Sequence, residues 1–183
     1  MKPIFAWLEV YKANGDPRAA AANLVALLIV SNQPFYPLYV YWVAGHGAWV
    51  TLVTAFSTPF FFAVPAVSRR NALAGRLLLC ATGTLNTALC MWAFGESTGV
   101  ALFFLPCILL GVLSFRDSEK LALWLGTALP MAAYFVLHNR LGAPLHVFSA
   151  GEYSSLVTLH AVSVGGLTAV IGYIFSSRLG AVR

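Results

Sequence analysis

Charge is what this sequence has least of. Only 9% of its 183 residues are charged, against 60% hydrophobic, whereas a soluble domain carries about 25% charged residues. A chain of this length can bury one sizeable core, but it has too few charges to cover a water-facing surface, which excludes an ordinary soluble domain. Catalytic signatures are missing as well: there is no P-loop, nucleophile elbow, HExxH or CxxC, so nothing indicates an enzyme. Cysteine is scarce; Cys80, Cys90 and Cys107 all lie inside apolar runs, where a thiol behaves as a small hydrophobe, so no disulfide framework is implied. The opening MKPIFAWLEVYKANGDPR lacks the uninterrupted apolar stretch and small-residue cleavage site of a secretory signal. No acidic residue sits in the middle of an apolar run, which argues against a carboxylate proton relay. The net charge of +5 would suggest nucleic acid in a soluble protein, but these basic residues stand at the ends of apolar runs and read as topology signals. Nucleic acid is therefore not expected as a partner.

What the sequence does have is apolar length. A helix needs roughly 20 apolar residues to cross a bilayer, and six such runs are present. The first starts at Asp16-Pro17, an N-cap with proline at the first helical position, and extends towards Val43. The others cover about 47–67, 72–94, 98–115, 119–140 and 153–177. With the N-terminus in the cytoplasm, Lys2, Lys12, Arg18, Arg69, Arg70, Arg76, Arg116, Lys120, Arg178 and Arg183 all fall inside, ten of the 11 basic residues, and only Arg140 falls outside. That bias fits an even number of spans. The expected fold is all-α: a six-helix transmembrane domain over 16–183, both termini cytoplasmic, in the bacterial inner membrane. Residues 1–15 form a separate amphipathic interfacial helix, with Ile4, Trp7, Leu8 and Tyr11 at helical spacing opposite Glu9 and Lys12.

Polarity concentrates on the outer side. The stretch SNQPFYPLYVYWVAGHGAW, residues 31–49, puts two prolines and an aromatic belt at the outer end of the first run. Irregular backbone at membrane depth is tolerated only where it is buried in protein or lines a water-filled cavity, so a kink at Pro34 and Pro37 is expected to wall a cavity. All four histidines map to the outer half, at 46, 138, 146 and 160. At 1.5 Å per residue, His160 falls at nearly the depth of Asn86, Cys107 and Met131. The expected pocket comprises Asn86, Cys90, Cys107, Met131 and His160, with Tyr39 and Trp42 from the kinked run. Three readings stay open. The layer binds a small molecule in an apolar cavity with a few convergent polar groups. Alternatively His160, with His138 or His46, ligates a metal or a b-type haem. In the third, His160 bonds Asn86 or a threonine hydroxyl as interhelical glue, and the chain is a structural subunit of a larger complex. In the sixth run, Ala161 and Gly165 form a small-xxx-small pair suited to packing within the chain or to a homodimer.

The stretch TGTLNTALCMWAFGESTGVALFFLP, residues 82–106, followed by the basic loop LSFRDSEK, resembles the six-helix membrane sensor or anchor domains of bacterial signalling proteins: class III adenylyl cyclases, diguanylate cyclases and quorum-sensing histidine kinases. The resemblance lies in a glycine-bounded turn between the third and fourth runs, an aromatic run after it, and the span count. It implies a sensor that passes a signal to a cytoplasmic partner or effector, and it brings haem held by membrane histidines into consideration. The haem alternative predicts a Soret band; a purified sample that stays colourless after haem supplementation rules it out.

Overall fold

In the computed structural model, which describes residues 2–180, the chain is helical throughout, with no strand among the described residues. Arg183 and the side chains of Lys2 and Ile4 lie outside the described residues. Eight α-helices follow in order: α1 (Lys2–Lys12), α2 (Pro17–Asn32), α3 (Tyr36–Ala44), α4 (Thr58–Arg70), α5 (Ala72–Phe94), α6 (Phe104–Ser114), α7 (Lys120–Leu137) and α8 (Ala150–Gly180). Among the described residues, four helical runs are long and apolar enough to cross a membrane: Pro17–Arg70, Ala72–Phe94, Lys120–Leu137 and Ala150–Gly180; a shorter apolar helix covers Val100–Ser114.

The 54-residue run Pro17–Arg70 is a hairpin. Gly45 has φ +54°, a region open to glycine at no steric cost, and the chain reverses there. Asn14 then reaches the Ser68 carbonyl at 2.9 Å, and Gln33 reaches the Thr54 carbonyl at 3.1 Å. The run thus divides at the Gly45 turn into two antiparallel arms. Asp16 caps α2 through its side chain, accepting from the backbone of Arg18 and Ala19, and Asn71 caps α5 in the same way. Helix α1 lies against α4, where the Tyr11 hydroxyl donates to the Phe62 carbonyl at 2.7 Å and Arg69 stacks over the Tyr11 ring.

One segment departs from expectation. Residues 45–57 form a 3-10 helix 13 residues long, whereas such runs rarely exceed 3–4 residues. With three residues per turn, positions three apart stack on one face. Here that face carries Ala48, Thr51, Thr54 and Ser57, all buried. Each hydroxyl donates to the carbonyl three residues back: Thr51 to Ala48, Thr54 to Thr51 and Ser57 to Thr54, at 2.6–2.8 Å. The Gln33 amide then bonds Ser57 Oγ at 2.8 Å and accepts from Thr58 Oγ1 at 2.6 Å.

Two apolar clusters build the core. One gathers Ala22, Val25, Val64, Leu79, Leu110 and Phe175; the other gathers Val50, Met91, Phe94, Val100, Phe104 and Leu156. Helices α6 and α7 approach closely, and a Cβ on Gly111 would strike the backbone of Gly126 and Thr127. The glycines of α8 do not serve that purpose. A Cβ on Gly165 meets nothing within 4 Å, so Ala161 and Gly165 make no tight contact inside the chain.

The first cluster is closed at its end by Arg76, only 1% exposed. Its guanidinium makes a bidentate pair with Glu119 at 2.7 and 2.8 Å and donates to the Ser114 carbonyl at 2.6 Å. Asp16 lies 3.8 Å away and also pairs with Arg116 at 2.9 Å. The Arg76 hydrogen bonds hold the Glu119 carboxyl below its usual value. The folded state therefore gains from the ionised carboxylate above the ordinary carboxylate range, and the gain is lost as pH falls through the lowered folded value. Removing one partner of a buried pair costs about 3–5 kcal/mol. Arg76→Ala is expected to destabilise the detergent-solubilised protein by that order, while Glu119→Gln flattens the loss of stability towards acid pH; thermal unfolding across a pH series measures both.

Candidate functional site

Where the two clusters meet, the helices do not close. A cavity of about 640 Å³ lies among α2, α3, α5, α6 and α8, within the range of small-molecule sites. The kink opens it. Between α2 and α3, Gln33–Phe35 form one short 3-10 turn, where Pro34 and Pro37 remove two backbone donors. Gln33, Tyr36 and Tyr39 line the cavity from this side. Helix α5 contributes Gly83, Asn86, Thr87 and Cys90, and α6 contributes Pro106 and Cys107. From α8 come Ser163, Gly166, Leu167 and Val170, which repeat at three and four residues along one face.

Most lining polar groups are already satisfied. Thr87 Oγ1 donates to the Gly83 carbonyl at 3.0 Å and touches Cys107 Sγ at 3.9 Å. Asn86 is the exception: its Oδ1 is buried and no group among the described residues donates to it. A buried acceptor left unpaired costs about 1–3 kcal/mol, and no hydrogen bond engages the amide nitrogen of Asn86 among the described residues, so the Asn86 amide is a polar group of the wall with hydrogen-bonding capacity to spare. No charged side chain of the described residues lines the cavity.

His160 stands at the rim and does not line the cavity. Its Nδ1 is 2.7 Å from the Thr98 carbonyl and its Nε2 is 2.8 Å from the Tyr36 hydroxyl. A carbonyl only accepts, so Nδ1 carries the proton and Nε2 accepts from the phenol. The ring, wholly buried, is boxed by Phe94 and Phe103 edge-on. It is interhelical glue, but its partners are Tyr36 and Thr98, not Asn86. With both nitrogens engaged, the imidazole offers no free lone pair to an iron or another metal. His138 Nδ1 sits 2.6 Å from Glu96 Oε2 at the end of α7, and His46 is exposed beside the Gly45 turn. No group of three or more metal-ligating side chains occurs among the described residues. His160 and His138 thus have separate local partners and His46 lies exposed at the Gly45 turn, an arrangement that does not fit a shared haem or metal.

Of the expected pocket residues, Asn86, Cys90, Cys107 and Tyr39 line the cavity together. Met131 and Trp42 do not. Met131 is 49% exposed because the inward stripe of α7 is Ala122, Gly126 and Pro130, spaced by four, and Met131 falls just off it. Trp42, 84% exposed, lies off the buried pair Val40 and Ala44 of α3. Gln33 and Tyr36 were visible only as part of an aromatic, proline-broken stretch. Their roles follow from partners far along the chain.

An all-helical bundle with membrane-length apolar helices and an internal cavity defines a helical membrane protein. Within that class the chain belongs to the MASE7 family of membrane-associated sensor domains, whose model matches residues 9–177, in agreement with the resemblance read from residues 82–120. No curated protein and no solved structure matches it.

His160→Leu leaves the Thr98 carbonyl and the Tyr36 hydroxyl unpaired, at about 1–3 kcal/mol for each group. The variant is expected to unfold several degrees below the wild type in detergent, and Tyr36→Phe less so, since it orphans a single ring nitrogen. Unchanged melting of both variants would show that this contact does not hold the rim.

Proposed function

We propose that this protein is a multi-pass sensor of the bacterial inner membrane, with both termini in the cytoplasm, in which a small molecule in the cavity biases the bundle between two arrangements read by a cytoplasmic partner. The observation that carries the reading is the cavity at Asn86, with its unpaired acceptor. The orientation is supported by the gathering of basic residues at the Arg76 end. A ligand shifts an equilibrium only by its differential affinity for two states, so a movable element must touch the site. Gln33 is one: it lines the cavity and its amide holds the 3-10 helix at Thr54, Ser57 and Thr58. Converting that helix to α-geometry would shorten it by about 0.5 Å per residue, which would draw α4 and its end of the bundle along. Helix α8 is a second element, continuous from the rim at His160 through the cavity to the charged end. Its open face at Ala161 and Gly165 supports a homodimer of the same domain.

The test is ligand retention. Native mass spectrometry of the purified protein is expected to find a small molecule bound to the wild type. Asn86→Ala should reduce its occupancy by about tenfold, the equivalent of 1.4 kcal/mol, with unfolding temperature unchanged. Equal occupancy in both proteins would overturn the reading.

A further inference from the structure

The cavity has a side opening, and its position indicates what enters. Gly166 lies midway along α8, far from both ends of that 31-residue helix. It is exposed, it lines the cavity, and a Cβ placed on it meets nothing within 4 Å. Next to it on the same helix, Val170 is 39% exposed and also lines the cavity. Across the gap, Leu28 of α2 is 38% exposed and lines the cavity too. Residues that are at once cavity wall and outer surface mark a mouth. At the middle of a membrane-length helix, that mouth faces hydrocarbon. The missing side chain of Gly166 leaves it open.

The lining then limits the ligand. Among the described residues no cationic or anionic side chain reaches the cavity, and an unpaired charge in such a site costs several kcal/mol. Most of the wall is apolar: Ile29, Phe61, Val100, Phe103, Leu110 and Leu167 among others. Among the deeper polar groups of the wall, the Asn86 amide has spare hydrogen-bonding capacity: its Oδ1 is unpaired, and its nitrogen makes no hydrogen bond among the described residues. Resting on the reading of the cavity as a binding site, we infer that its ligand is an uncharged, lipid-partitioning amphiphile that enters sideways from the bilayer between α2 and α8 and hydrogen-bonds the Asn86 amide. Gly166 sets the width of the entrance. An aqueous ion or a charged metabolite is excluded both by the route and by the lining.

A photoreactive pair tests this directly. The full chain is reconstituted in phosphatidylcholine nanodiscs and exposed to a diazirine-bearing dodecanol or to the matching dodecanoate at alkaline pH, with crosslinks mapped by mass spectrometry. The alcohol is expected to label the cavity segments around Asn86, Cys107 and Leu167, in competition with unlabelled dodecanol, and the carboxylate to label them at least about tenfold less. Asn86→Leu should lower the alcohol's labelling by about the same factor. Gly166→Leu and Gly166→Trp should lower it progressively, whereas Ala169→Trp, on the outward face of α8 and outside the cavity wall, should leave it unchanged; thermal melting of each variant confirms folding. Equal labelling by alcohol and carboxylate, or indifference to both Gly166 variants, overturns the inference while the cavity remains a site. Absence of cavity labelling by either probe overturns the binding-site reading itself.

Discussion

The bundle depends on a guanidinium that has almost no contact with solvent. Arg76 enters from the first turns of α5 and meets the Glu119 carboxylate and the Ser114 carbonyl, with Asp16 close by. Those groups belong to the start of α2, the end of α6 and the start of α7. A charge this buried is tolerated only with its partners in place, so one side chain fixes the relative position of four helix ends. The apolar packing above it is not directional. Burial alone would let these helices slide against one another, and the ion pair does not.

The cavity exists because the bundle is pinned at two levels and not between them. Below it, Arg76 and its partners close one core cluster. Above it, His160 ties α8 to the Tyr36 hydroxyl and to the Thr98 carbonyl, closing the other. Between the pins, the proline-broken turn at Gln33–Phe35 bends one wall outward, and Gly83 and Gly166 leave two walls without side chains. A gap in an otherwise close-packed interior forfeits dispersion contacts along its lining. Here the gap also leaves the Asn86 Oδ1 without a partner among the described residues.

The sequence carried the fold almost entirely, because lipid-facing helices must be apolar over their whole length. The all-helical class, the Asp16-Pro17 start and the break at Pro34 and Pro37 could all be read directly. Asn86 and Cys107, set at one level by rise per residue, and Cys90, read as a neighbour of Asn86 on its helix, do line one cavity. Met131 and Trp42 failed because depth along a helix says nothing of rotation about its axis, and nearly every position in a membrane helix is apolar, so no polar stripe marks the inner face. The role of His160 was half legible. Its burial followed from its depth, but its partners lie 124 and 62 residues away, and such pairings are set by tertiary packing. Arg76 was read as a topology charge, since a basic residue at a helix end looks the same whether it faces water or a carboxylate.

The 3-10 helix was the least legible element, yet its own pattern accounts for it. Ala48, Thr51, Thr54 and Ser57 recur every three residues, whereas an α-helix would bring positions 3.6 apart into register. In α-geometry this small polar set would spiral round the helix and put hydroxyls towards lipid. Wound at three residues per turn, it stays on one buried face while Trp49, Leu52 and Phe56 remain outside. Each hydroxyl also returns a hydrogen bond to the carbonyl three residues earlier, supporting a backbone geometry that is weaker by itself. The Gln33 amide, itself part of the cavity wall, holds this winding through the Thr54 carbonyl, Ser57 Oγ and Thr58 Oγ1.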